Sequence, residues 1–103
     1  MENVKSIYNQ IADCCLAQVS GHWNIISIAV EFYGTAAQFD IEVEYLDGKK
    51  EDLDSSYDLF KLFAKLHDIT TENGSNQWNK AIFKLEYSGQ FNVDFSFDPD
   101  LED

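Results

Sequence analysis

Basic residues are scarce in this chain: 7 Lys and Arg stand against 19 Asp and Glu in 103 residues, a formal balance of -12. That scarcity argues against nucleic acid as a partner, because a phosphate backbone would be repelled and Lys80 and Lys84 are too few to form a basic patch. Cysteine is limited to Cys14 and Cys15. Adjacent residues cannot close an ordinary disulfide without severe strain, and no second pair or nearby His supplies metal-ligand spacing. They read as free thiols on or beside the buried face of a helix. The five glycines fall singly at turns, so there is no Gly-rich run before a helix to cradle phosphate. No apolar run approaches the roughly 20 residues that span a bilayer, and the opening Met1, Glu2, Asn3, Val4, Lys5 lacks the basic-then-apolar layout of a secretion signal. The reading is a cytoplasmic protein with no membrane partner.

What the chain has is apolar and aromatic material, 45% and 15% of residues, which is enough to fill one core in a single domain over residues 1–103. The acid excess therefore decorates a folded surface rather than marking disorder. High charge serves solubility in many small domains. Where the acids fall decides whether it does more.

Apolar positions Val4, Ile7, Tyr8, Ile11, Cys14, Cys15 and Leu16 recur at helical spacing and predict a first amphipathic helix over residues 4–19, ended by Ser20 and Gly21. The period then changes to two. Ile26, Ile28, Val30 and Phe32 share one side of a strand over residues 23–33, with Trp23, Ile25, Ser27, Ala29 and Glu31 on the other. After a turn at Gly34 and Thr35, residues 38–45 alternate again, with Phe39, Ile41, Val43 and Tyr45 opposite Gln38, Asp40, Glu42 and Glu44. Asp47-Gly48 signals a two-residue hairpin into a short strand over residues 49–53. Ser55 is placed to cap a second helix, with Asp58 in its first turn and Leu59, Leu62, Phe63, Leu66 and Ile69 on its apolar face. Residues 70–77, containing Asn73, Gly74 and Ser75, read as a loop.

A closing hairpin runs from Lys80 through Tyr87, turns at Ser88-Gly89, and returns through Phe91, Val93, Phe95 and Phe97. Pro99 ends it, since proline cannot supply a ladder donor, and residues 98–103 form an acidic tail expected to fray. The order α-β-β-β-α-β-β implies an α+β fold: an antiparallel sheet of about five strands with two helices packed on one face and the other face open.

Catalytic candidates are few. His22 precedes a strand and His67 lies late in the second helix, and no motif sets a Ser or Cys beside either, so the chain does not read as an enzyme and no cofactor is expected. The acid-rich segments Asp52-Leu53-Asp54 and Asp98-Pro99-Asp100-Leu101-Glu102-Asp103 do not match the calcium loop of an EF-hand, so no metal is expected either. What remains is an acidic stripe of Asp40, Glu42 and Glu44, extended by Glu51, Asp52 and Asp54 across the hairpin and by Asp94 on the last strand. Alternate strand residues point the same way about 6.6 to 7 Å apart, similar to phosphates along one nucleic-acid strand, so such a row could occupy a basic nuclease groove. A solvated sheet face is ordinarily polar, but like charges on neighbouring strands cost stability, which argues for a use. Trp78 or Tyr45 could add a desolvated anchor, although Trp23 and Trp78 read first as core-edge residues.

The segments Ile7-Tyr8-Asn9-Gln10-Ile11-Ala12, Trp23, Phe39-Asp40-Ile41, Tyr57-Asp58-Leu59-Phe60, Trp78-Asn79-Lys80-Ala81 and Ser88-Gly89-Gln90-Phe91-Asn92-Val93-Asp94-Phe95 together resemble the YezG-like family of bacterial immunity proteins. The clearest piece is a Trp opening a strand, followed by Gly-x-Phe and an aromatic strand that carries an acid. The resemblance implies an antitoxin that binds and neutralises a cognate toxin, often a nuclease domain delivered by a type VII or contact-dependent growth inhibition system. It supplies no fixed set of contact residues. An acidic inhibitor of a basic nuclease would gain fast, steered association. The alternative reading is an acidic adaptor or self-assembling domain whose sheet edge pairs with a second copy as a homodimer.

Overall fold

The structure, a computed structural model, describes residues 4–33, 36–72 and 77–99. Helix α1, Val4–Leu16, buries Ile7, Ile11, Ala12 and Cys15, one stripe of the expected apolar set. It ends three residues sooner than its pattern suggests. Gln18 N–H donates to Cys15 O (3.0 Å) and Val19 N–H to Leu16 O (3.2 Å), tightening the last turn, and Gly21 at φ 88° redirects the chain.

The strands are β1 Trp23–Phe32, β2 Ala37–Tyr45, β3 Lys50–Leu53, β4 Lys80–Glu86 and β5 Phe91–Ser96, with α2, Tyr57–Thr71, between β3 and β4. They form one antiparallel sheet in the order β3-β2-β1-β4-β5. The fold is therefore the expected α+β arrangement, with the first strand at the centre of the sheet. Both sides of β1 are paired: Ile28 lies between Ile41 and Phe83, and Val30 between Phe39 and Ala81. These inward residues meet Ile7 and Ile11 of α1 and Leu59, Phe63 and Leu66 of α2 in one core.

Ser56, not Ser55, caps α2: its Oγ accepts from Leu59 N–H at 3.1 Å, three residues into the helix. The helix also runs on through Thr71, into what the sequence suggests is loop. Its far end is tied to the start of β4 by Trp78, whose Nε1–H donates to Thr70 Oγ1 (2.7 Å), while His67 Nε2 donates to Trp78 O (2.8 Å). Asn79, the buried polar residue of the core, donates through Nδ2 to Asp98 O and accepts through Oδ1 from Asp98 N–H, both at 2.7 Å. Asp98 is thus held, while residues 100–103 of the tail, the turn at Gly34 and Thr35, and the Asn73-Gly74-Ser75 segment lie outside the described residues.

The β2–β3 and β4–β5 hairpins close through three-residue loops, the former in place of the two-residue turn suggested by Asp47-Gly48. Tyr45 N–H donates to Lys49 O (2.8 Å) across Leu46, Asp47 and Gly48, and Glu86 N–H to Gln90 O (3.0 Å) across Tyr87, Ser88 and Gly89. Gly48 and Gly89, at φ 87° and 93°, supply the left-handed residue this loop requires. Tyr87 consequently falls in the loop, Phe97 lies past the far end of β5, and both are largely exposed.

Candidate partner-binding face

The helices cover one face of the sheet; among the described residues nothing covers the other. Cross-strand pairing arranges that open face in rows. One row runs Asp52, Glu42, Ser27, Lys84, Asn92; the next runs Asp40, Ala29, Ile82, Asp94. Asp40, Glu42 and Glu44 therefore form a column on β2, with Asp52 beside Glu42 on β3.

Two carboxylates of this column, Glu42 and Glu44, have side-chain partners. Lys50 is the cross-strand partner of Glu44 and its Nζ reaches diagonally to Glu42 Oε1 at 3.8 Å. Both side chains are well solvated, so the pair lowers local repulsion more than it stabilises the fold. Asn24 Nδ2 donates to Glu44 Oε2 at 3.2 Å and orients that carboxylate. Neither Lys50 nor Asn24 stands out in the sequence, because their roles depend on register. Across β1, whose outward Ser27 and Ala29 are small, β4 presents Lys80 and Lys84. An open depression of about 420 Å³ lies over Ala29, bounded by Asp40, Gln38, Lys80 and Ile82. The face is thus divided into an acidic flank and a flank carrying lysines.

Several predicted site residues fall elsewhere. Glu51 pairs with Val43, so it lies on the helix side of the edge strand and not in the column. The loop length is the cause: a two-residue turn would set Glu51 against Glu44, whereas the three-residue loop sets Lys50 there and exchanges the faces. Tyr45 shares that helix side and donates from its hydroxyl to Glu51 Oε1 at 3.4 Å. Partial desolvation, then the Glu51 charge and this bond, raise the Tyr45 phenol above its ordinary range. Asp54 follows β3, where its N–H donates to Gln18 Oε1 (2.7 Å) and its carbonyl accepts from Gln18 Nε2 (2.8 Å). Asp94 faces outward on β5 but is three strands from Asp40, about 14 Å at ordinary strand spacing. Trp78 is 2% exposed and packs between His67 and Phe95, so it offers no surface to a partner.

Trp23 also departs from the simple alternation. The register slips between Trp23 and Ile25, a bulge at Asn24 that leaves Asn24 with Glu44 and turns Trp23 toward the helix side against the core.

Of the reactive candidates, His22 lies exposed ahead of β1, and His67 and the two cysteines are packed into the structure. His67 stacks on Phe32 (centroids 4.7 Å apart, 26° between planes), and its Nε2 must carry a proton to serve the Trp78 carbonyl. Burial, reinforced by the neighbouring Cys14, pushes the Cys15 thiol up to about 11, and burial with Asp58 and Asp13 also raises Cys14, so both thiols are protonated at neutral pH. No group of three or more His, Cys, Asp or Glu among the described residues could hold a metal ion, and no helix among them is long and apolar enough to cross a membrane.

No curated protein matches the chain. A family model does: that of the proteins described as "Immunity protein YezG-like" matches residues 35–103. The match takes in β2, the acidic hairpin, α2 and the whole β4–β5 hairpin, while the resembling segments at Ile7 and Trp23 precede it. Covering well over half of the sequence, it makes this chain a member of the YezG-like immunity protein family.

Proposed function

We propose that this protein is a cytoplasmic antitoxin that binds a cognate bacterial toxin, a basic nuclease domain, and neutralises it by occlusion, without chemistry of its own. Family membership supports the immunity role. The observation that supports the mode is the column Asp40, Glu42, Glu44 with Asp52 beside it, on a sheet face that no described helix covers. Fixed carboxylates of one sign raise the rate at which a basic partner arrives, by roughly ten- to a thousandfold over uncharged encounter. Edge-to-edge pairing of two copies has less support. It would bring together two chains of net charge -12 through one of two short edges: β3, of four residues beginning with Lys50, a residue type that discourages edge pairing, or β5, of six residues that carry Asp94.

The test starts with recovery of the partner from source cells at low and high salt, identified by mass spectrometry, followed by association kinetics with the recovered toxin. Reversing Glu42→Lys and Glu44→Lys together slows association by about tenfold and flattens its salt dependence, with the melting curve preserved. Reversing Lys80→Glu and Lys84→Glu on the other flank leaves association as fast or faster. Equal rates for both double variants and the parent would make the column ordinary solvated surface.

A further inference from the structure

At the end of the molecule that carries both hairpin loops, a groove of about 330 Å³ opens between the last turns of α1 and the β4–β5 hairpin. Its origin is local. The bulge at Asn24 turns Trp23 into the space beneath α1, where Ala12 is too small to fill the gap and the helix stops at Leu16. The three-residue loop then places Tyr87 edge-on to Trp23, centroids 5.2 Å apart.

Most of the wall is apolar, from Ala12, Leu16, Trp23, Leu85, Tyr87 and Phe91, with Asn9 the uncharged polar residue among the lining. Tyr87 is 67% exposed and Leu16 37%, and Leu46, also 67% exposed, stands on the other side of Trp23, its N–H donating to His22 O. Exposed large apolar side chains also stand elsewhere, at Tyr33, Tyr57, Ile82 and Phe97, but here Leu16 and Tyr87 join the half-buried Trp23 and Phe91 around one groove. Apolar surface gathered around a groove marks a surface that is covered in use. The charged residues lining the groove are Asp13 and Glu86, and no Lys lines it. A second copy of the chain would bring its own -12 to this rim.

We propose that this groove seats a large apolar side chain, aromatic or branched, carried on a segment of the toxin flanked by lysine or arginine. The proposal rests on the antitoxin reading and adds to it a desolvated anchor on the helix side of the sheet, at the end where Glu44 and Glu86 flank Ile25 on the open face. The column governs arrival; the groove governs residence, because buried aromatic contacts set dissociation rates more than association rates.

The experiment titrates the isotope-labelled full chain, followed by NMR, with the pentapeptides KKWKK, KKAKK and EEWEE. KKWKK is expected to shift the Trp23 indole N–H and the amides of Leu16, Tyr87 and Gly89, KKAKK to shift only residues around Glu42 and Asp52, and EEWEE to shift neither. Replacing Leu16→Ser with Tyr87→Ser weakens KKWKK by about tenfold. Tyr87→Ser alone, at a largely exposed position, keeps the test open if the double variant does not fold. Equal affinity and location for KKWKK and KKAKK, or shifts in the groove on concentrating the protein by itself, overturn the proposal. Protection of cells from the recovered toxin is scored separately. Protection without groove shifts removes the groove alone, and groove shifts without protection remove the antitoxin reading on which its occupant depends.

Discussion

The β2–β3 and β4–β5 hairpins of this protein are built alike and present different charge. Each has a three-residue loop ending in a left-handed glycine, and each has its outer strand finished by a primary amide that clamps the backbone of the aspartate just beyond it: Gln18 on Asp54 and Asn79 on Asp98. Their outward faces nevertheless differ in charge: Asp40, Glu42, Glu44 and Asp52 with one Lys50 on β2 and β3, against Lys80 and Lys84 balanced by Glu86 and Asp94 on β4 and β5. Turn and clamp fix geometry through the backbone. They place no demand on the solvent-facing side chains, which leaves charge free to follow a partner.

The clamps give the largest contrast. Asn79 is 6% exposed, whereas Gln18 is solvated, so water can replace the amide at Asp54 and cannot readily do so at Asp98. Asn79→Ala is expected to cost about 2–3 kcal/mol, since the half-buried N–H and C=O of Asp98 lose the Asn79 amide together, and Gln18→Ala less than about 1 kcal/mol. Urea unfolding of both variants measures the difference. Equal losses would mean that the two hairpins are finished with equal strength and that burial of Asn79 is incidental.

The glycines test the likeness itself. An added Cβ at Gly48 or Gly89 meets nothing within 4 Å, so Gly→Ala at either position reads the cost of the left-handed backbone alone. That cost is about 1–2 kcal/mol and should be the same in both loops. A loss at one loop more than double that at the other would show that the shared hydrogen-bond pattern hides different backbone energetics.

How much of this was legible in the sequence follows from what each signal depends on. Period-two alternation identified the inward residues Ile26, Ile28, Val30, Ile41, Val43 and Phe83, because burial on one face of a sheet is a local pattern. Features that hang on a single residue of register were not legible. One extra loop residue moved Glu51 off the acidic face and brought Lys50 onto it, and one bulge residue turned Trp23 to the helix side. The cap moved from Ser55 to Ser56 because either serine suits the role and only the phase of Leu59 decides. Trp78 reads as a possible anchor along the chain, yet contacts with Thr70, His67 and Phe95 bury it. Asp40, Glu42 and Glu44 share one face as their alternation suggests, because they lie on one strand, where no turn intervenes.

The smallest effect separates the loops at their middle residue. Asp47 Oδ1 accepts from Lys49 N–H at 3.0 Å, while no corresponding bond from Ser88 is present among the described residues. Asp47→Ala should therefore cost about 0.5–1 kcal/mol and Ser88→Ala close to nothing. Charge must be separated from the bond, because removing one acid from a chain of net charge -12 also relieves repulsion and offsets part of the loss. Asp47→Asn makes the separation: it keeps the acceptor oxygen and discards the charge, so it should melt at or slightly above the parent while Asp47→Ala melts below it. If the two variants melt together, the side-chain bond contributes nothing, and the loops are equivalent at this position too.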